Sequence, residues 1–211
     1  MEQDKTIFPG LADLESNIGV EQGFFERLLD EDDWSFIIKL HAVFEAIITH
    51  LLTYHFQEEA LSDLFARLEL SNKTTGKIAL MKAIGWMGKD GRRYISSLSE
   101  LRNALVHDVR NCSFNLKEMV SKYSEKELKT FTVTFSPFEA GKRLSPEKPS
   151  RLIEGRPEEL KRLMERAKEQ PKLHIWAGAY SVLVSLMEGY SYSDFRQWEK
   201  AKVVFSDDEE D

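Results

Sequence analysis

The stretch DDWSFIIKLHAVFEAIITHLLTYHF, residues 32–56, is the strongest fold signal in the chain. Apolar side chains recur along it at steps of three and four residues, the spacing of one face of an α-helix; they are Ile37, Leu40, Phe44, Ile47, Ile48 and Leu51. Four polar side chains interrupt the run, at Lys39, His41, Glu45 and His50. The stretch therefore predicts a buried amphipathic helix and not a membrane span, with Asp32 or Asp33 as its amino-terminal cap.

The flanking sequence predicts an all-α helical bundle of four to five main helices. A second long apolar helix is predicted over residues 172–189, and a third helix runs from about Arg92 to Val109. Phe131, Val133 and Phe135 alternate with threonine, which predicts a short strand. Four of the six prolines lie just after this segment, within residues 136–157. Residues 113–171 are therefore interpreted as a short β/loop insertion before the last long helix.

The chain divides into four predicted parts. An arm with a short helix (1–31) precedes a helical domain (32–190) that contains the insertion. A helix or extension is predicted over residues 191–205. The last part, residues 206–211, is an acidic tail that we expect to be solvated and disordered.

Composition limits the function classes. The 211 residues are 42% hydrophobic, enough for a substantial core. The net charge is −7, of which five charges belong to the five acidic residues at the end, leaving −2 for the rest. A nearly neutral body argues against a protein that coats DNA non-specifically. Cys112 is the only cysteine, so no internal disulfide can form. The start of the chain shows no signal-peptide pattern, which predicts a cytoplasmic protein. No metal and no cofactor are predicted.

The segment SELRNALVHDVRN, residues 99–111, carries polar side chains that a packing helix does not need. At about 100° per residue, an apolar stripe faces the core, formed by Leu98, Leu101, Leu105 and Val109. The opposite face carries Ser96, Asn103, His107 and Arg110. Arg102 falls at the edge of the stripe, so its guanidinium must either reach toward the polar face or meet a carboxylate on another helix. Glu45, alone in the apolar stretch AVFEAII, is the predicted partner.

The motif RNALVH, residues 102–107, resembles the Arg-x4-6-His signature of the HEPN superfamily, the higher eukaryote and prokaryote nucleotide-binding domains. The polar Asn103 after the arginine fits the commonest form of that signature. The order of elements is also similar, since a long helix with an embedded Glu precedes the motif helix and an apolar helix closes the domain. The resemblance covers roughly residues 33–112 and 172–190, and residues 113–171 have no assigned counterpart.

The resemblance implies a metal-independent endoribonuclease that pairs two motif helices across a homodimer. His107 would be the general acid/base, because imidazole titrates near neutral pH. Arg102 would hold the scissile phosphate, and Asn103 would orient the phosphate or the histidine. The products would end in 2′,3′-cyclic phosphate. Nearby cations that could follow an RNA backbone are Lys89, Arg92, Arg93 and Arg110.

Two function hypotheses from different classes follow. The first is a HEPN-type endoribonuclease that acts as a toxin or defence effector, restrained by a nucleotidyltransferase-like antitoxin. The second is a non-catalytic regulatory or protein-interaction module, since RNALVHD also resembles the mannitol-operon repressor branch of the superfamily. In that second case Arg102 and Glu45 form a structural pair, and His107 lies at a dimer or ligand interface.

Overall fold

The computed structural model describes residues 19–137 and 157–187, together with Ala12, Glu15 and Ser16. Its helices are α1 (Phe24–Arg27), α2 (Asp33–Phe56), α3 (Ser62–Arg67), α4 (Lys77–Ala83), α5 (Lys89–Val106), α6 (Leu116–Ser121), α7 (Glu125–Phe135), α8 (Pro157–Glu169) and α9 (171–187). Short 3₁₀ turns occur at Glu59–Leu61 and Val109–Ser113. No strand occurs in these described ranges, which confirms the predicted all-α bundle.

Helix α2 is the central element of the core. Asp32 caps it as predicted, because its carboxylate accepts a hydrogen bond from the backbone N–H of Ser35 at 2.9 Å. The apolar face predicted from the periodicity is buried, with Phe36, Leu40 and Phe44 fully shielded from solvent. The helix is long and apolar enough to cross a membrane, but half of its most apolar window is buried inside the bundle. That burial is what the core helix of a globular bundle requires.

Helix α5 packs antiparallel against α2. Three contacts along the pair define the register: Phe44 on Tyr94 with ring centroids 5.8 Å apart, His41 on Ser99, and His55 on Trp86 just before α5. The residue numbers of each contact add to nearly the same total, as they must in an antiparallel pair. This register decides which polar groups of the two helices can meet.

Helix α9 closes the bundle through polar contacts within the core. The Tyr94 hydroxyl donates to the backbone carbonyl of Ile175 at 2.7 Å, and the Trp176 indole donates to that of Phe25, also at 2.7 Å. The Lys172 ammonium lies 2.9 Å from the Asp33 carboxylate at the start of α2. These contacts join α9 to α5, α1 and α2, and they satisfy polar groups that would otherwise be buried without partners.

The strand predicted at residues 131–135 is wrong, because this segment belongs to α7. The helix begins with a capping box: Glu127 N–H donates to the Ser124 hydroxyl, and the Glu127 carboxylate accepts from the Ser124 N–H. Phe131 and Phe135 are four residues apart and therefore share the buried face of a helix. Helices α6 to α8 supply Leu116, Val120, Phe131, Phe135 and Ala167 to the same core as α2.

Removing the cap of α7 is expected to destabilise the bundle modestly. The change Ser124→Ala should lower the free energy of unfolding by about 1 kcal/mol, because it leaves amino-terminal N–H groups of α7 without a protein acceptor. Urea unfolding followed by circular dichroism measures this change. Ser124→Asp keeps an acceptor oxygen and should retain most of the stability; equal losses in both variants would contradict the capping role.

The motif helix ends three residues earlier than predicted. Helix α5 stops at Val106, and His107 is the first residue beyond it. Asp108 has extended backbone angles and caps the following 3₁₀ turn by accepting from the Arg110 N–H. The Asn111 side chain donates to the Ala104 carbonyl at 2.9 Å, satisfying an acceptor that the helix end leaves open. The site histidine therefore lies on a junction between two helical segments.

Several sequence predictions lie outside the described residues. They concern most of the amino-terminal arm, the proline-rich loop at 138–156, the helix or extension at 191–205 and the acidic tail at 206–211. The predicted helix at Pro157 and the long apolar helix near 172–189 are confirmed as α8 and α9.

Candidate functional site: the carboxyl end of helix α5

The three motif residues lie at the surface where α5 ends. Asn103 and His107 are exposed, and Arg102 is half-buried. The Arg102 guanidinium donates from Nη1 to the Asn103 side-chain oxygen at 3.0 Å. Val106, between them, exposes 37% of its surface. An arginine, an amide and an imidazole thus share one accessible end of the helix.

Two of the cations predicted to follow RNA, Lys89 and Arg92, lie near the start of α5. Lys89 is exposed and Arg92 is half-buried, and at about 100° per residue both project from the same outer face of α5 as Asn103 and His107. The Arg92 guanidinium donates to the Met87 carbonyl at the start of α5. Lys89 is about 27 Å from His107 along the helix axis, at 1.5 Å per residue. The outer face of α5 therefore carries cations at one end and the motif at the other.

Arg93 and Arg110 are each paired with a nearby carboxylate. Arg93 lies 2.8 Å from Asp90. Arg110 donates from Nε and Nη2 to Asp108, with a shortest distance of 2.6 Å. The Arg110 guanidinium holds the pKa of the Asp108 carboxyl below its usual range. Because these two arginines are ion-paired, a phosphate would have to compete with carboxylates for them.

The predicted pair between Arg102 and Glu45 is not formed. With His41 opposite Ser99, Arg102 lies opposite about residue 38, which is roughly 10 Å along the axis from Glu45 at 1.5 Å per residue. Glu45 is instead 3.4 Å from the Lys77 ammonium. The prediction failed because it assumed a register between two helices that the sequence does not display.

A polar chain connects α4, α2 and α5 behind the motif, and we call Lys77, Glu45, His41 and Ser99 the polar ladder. Lys77, His41 and Ser99 are buried, whereas the Glu45 side chain is partly exposed. The Lys77 side chain is fully buried and donates to Glu45 and to the Ala66 carbonyl, each at 3.4 Å. His41 Nδ1 lies 3.9 Å from the other Glu45 oxygen, and its Nε2 is hydrogen-bonded to the Ser99 hydroxyl at 3.2 Å. The ladder ends one helical turn before Arg102.

His41 is held as a neutral imidazole within this ladder. Burial is the largest cause that lowers its pKa, and the positive charges of Arg102 and Lys77 lower it further against the opposing effect of Glu45. His174, buried between α9 and α7, likewise has a pKa lowered by burial. Sequence inspection identified His41 only as a residue within an apolar helix, and it missed the burial of Lys77.

Acidification through the histidine range is expected to destabilise the protein. Between the lowered pKa of folded His41 and the ordinary value of about 6.5, the unfolded chain binds a proton that the folded chain excludes, so stability falls as the pH drops. Urea unfolding at pH 7.5 and 5.5 should show this loss, and the loss should be smaller for His41→Gln. An equal pH dependence in the two proteins would contradict the buried neutral state.

An apolar groove lies on the outward side of α2, away from the ladder. It encloses about 730 Å³ and is lined mostly by apolar side chains of α1, α2 and the end of α9. Ala42 and Ala46, four residues apart on α2, are both exposed in it. Arg27, Glu31, Lys39 and His50 lie among the lining residues. The groove has the size of a small ligand or helix-binding site.

The described residues include no group of three His, Cys, Asp or Glu side chains that could hold a metal ion. Cys112 is exposed in the 3₁₀ turn after the motif. No protein-family model matches the chain, and no curated protein or solved structure was found to match it.

Proposed function

We propose that the protein is a cytoplasmic, metal-independent endoribonuclease of the HEPN type, acting as a toxin or defence effector. The observation that carries the proposal is the exposed cluster at the end of α5. Arg102 is bonded to the neighbouring Asn103 and not to Glu45, so its guanidinium can meet an external anion. His107 is exposed one turn further on.

The chemistry requires no group beyond these side chains and RNA itself. The His107 imidazole removes the proton from a ribose 2′-hydroxyl, whose oxygen then attacks the adjacent phosphorus. The bond from phosphorus to the 5′ oxygen of the next nucleotide breaks, leaving a 2′,3′-cyclic phosphate. Arg102 offers a planar fork of donors to the phosphate as its charge develops. Asn103 holds the guanidinium in place through its side-chain oxygen.

The leaving 5′ oxygen needs a proton, and a homodimer through the motif helix supplies it. Two copies paired at this end of α5 bring a second His107 to the same cleft, and its imidazolium donates that proton. Val106, which is exposed beside the motif, would be covered in such a contact. RNA would then follow the outer face of α5 toward Lys89 and Arg92.

The deciding experiment uses purified full-length protein and a mixed-sequence RNA in EDTA. Fragments that end in 2′,3′-cyclic phosphate are expected. Intact RNA after incubation with a clean homodimer would reject the proposal.

A non-catalytic interaction module is the second candidate, and the apolar groove on α2 favours it. The exposed Ala42 and Ala46 allow close approach of a backbone, so the groove suits an amphipathic helix of a partner protein. A nucleotidyltransferase-like antitoxin could also restrain the nuclease there. This candidate gains support if the wild-type protein leaves RNA intact. The Arg102–Glu45 pair expected for this candidate is not formed.

A further inference from the structure

The ladder meets α5 at the turn that carries Arg102. Ser99 and Arg102 are three residues apart and therefore neighbours on the same side of the helix. Ser99 is buried and bonded to His41 at 3.2 Å, whereas Arg102 is half-buried and reaches the surface. A hydrogen bond between helices at this turn limits both rotation and sliding of α5 against α2.

The rest of the ladder keeps Arg102 directed outward. Glu45 lies about 10 Å along the axis from the level of Arg102 and is engaged by the buried Lys77, so this carboxylate does not draw the guanidinium into the core. His41 stands between them as a neutral group, and a neutral ring beside Arg102 neither repels it nor forms an ion pair with it. The guanidinium is left with the Asn103 oxygen as its protein acceptor among the described residues.

We infer that His41 and Ser99 are positioning residues for Arg102, and that their hydrogen bond fixes the turn of α5 from which Arg102 reaches a substrate phosphate. The catalytic consequence rests on the proposed nuclease function. The effect on the position of Arg102 does not rest on that function, because it concerns the mobility of the Arg102 side chain in the free protein.

The test measures Arg102 directly by NMR relaxation of its side-chain Nε–H group, identified by loss of that signal in Arg102→Lys. Ser99→Ala and His41→Leu remove the hydrogen bond and should increase the fast motion of the Arg102 side chain. His41→Gln places an amide where Nε2 lies and should retain the wild-type signal. His174→Leu is the matched control, since His174 is a second buried histidine bonded elsewhere, to the Thr132 carbonyl at 2.9 Å.

The same variants are then assayed for RNA cleavage. We expect kcat to fall about tenfold or more in Ser99→Ala and His41→Leu, with a smaller change in KM, because misplacing a catalytic group by about 1 Å is this costly. His41→Gln and His174→Leu should retain most of the activity. An unchanged Arg102 signal in both Ser99→Ala and His41→Leu overturns the inference, as does an equal change in His174→Leu. If wild-type protein cuts no RNA, the proposed function fails while the NMR measurement still decides the positioning.

Discussion

Substitution of His107 by alanine is expected to lower the rate of RNA cleavage by about two to four orders of magnitude, the usual contribution of general acid–base catalysis. Because the imidazole is exposed at the end of α5, Tm should stay near the wild-type value. The effect should appear mainly in kcat, because His107 exchanges protons with the substrate and leaves most phosphate binding to Arg102.

The measurement is initial cleavage rate in EDTA with chemical identification of the 3′ ends. His50→Ala is the matched control, since His50 is an exposed histidine on α2 outside the motif and should cleave as wild type does. Equal activity of wild type and His107→Ala would assign any cleavage to a contaminant or to other residues. A parallel loss in His50→Ala would indicate a general effect of removing surface imidazole.

Replacing Gly178 by alanine is expected to cost about 3 kcal/mol of unfolding free energy, at the upper end of overpacking effects. A Cβ at this position of α9 would lie 2.2 Å from the Phe135 carbonyl oxygen and 2.9 Å from a ring carbon of Tyr94. The backbone of α7 cannot move aside as a flexible side chain can. The helix-propensity gain of about 1 kcal/mol from replacing glycine offsets only part of that cost.

Gly91 provides the matched control within another helix. A Cβ there would meet chiefly the Met87 side chain, with its Cγ at 3.2 Å, and methionine adapts readily to a small added group. Gly91→Ala should therefore change the urea midpoint little, or raise it. If Gly178→Ala and Gly91→Ala are equally stable, the close packing of α9 against α7 does not require a glycine at position 178.

The elements that could be predicted from the sequence are those whose residue pattern extends over many consecutive positions. Helix α2 follows from apolar periodicity over about four turns together with the Asp32 cap, and both are visible in the residues themselves. Helix α7 was mistaken for a strand because Phe–Thr alternation over five residues mimics a period of two, while the Ser124–Glu127 capping box upstream was overlooked. A recognised cap would have given the right answer.

The site was predictable only in part, because its partners are set by tertiary register. Arg102, Asn103 and His107 are predicted from the resemblance of RNALVH to the HEPN signature, and the structure brings Arg102 and Asn103 into contact. No local pattern reveals that Glu45 meets Lys77, 32 residues away in the chain. Nor does it reveal a buried lysine, since lysine is usually exposed and its burial here depends on how α4 packs against α2.

Because Lys89 and His107 lie at opposite ends of α5, the helix sets a fixed distance between them. A rigid rod of about 27 Å separates the exposed cation at its start from the imidazole at its end. At roughly 3.4 Å per stacked nucleotide, a strand that touches both would cover about eight nucleotides. If the proposed nuclease binds RNA along this face, fragments shorter than this span would lose the contact with Lys89 and should bind more weakly.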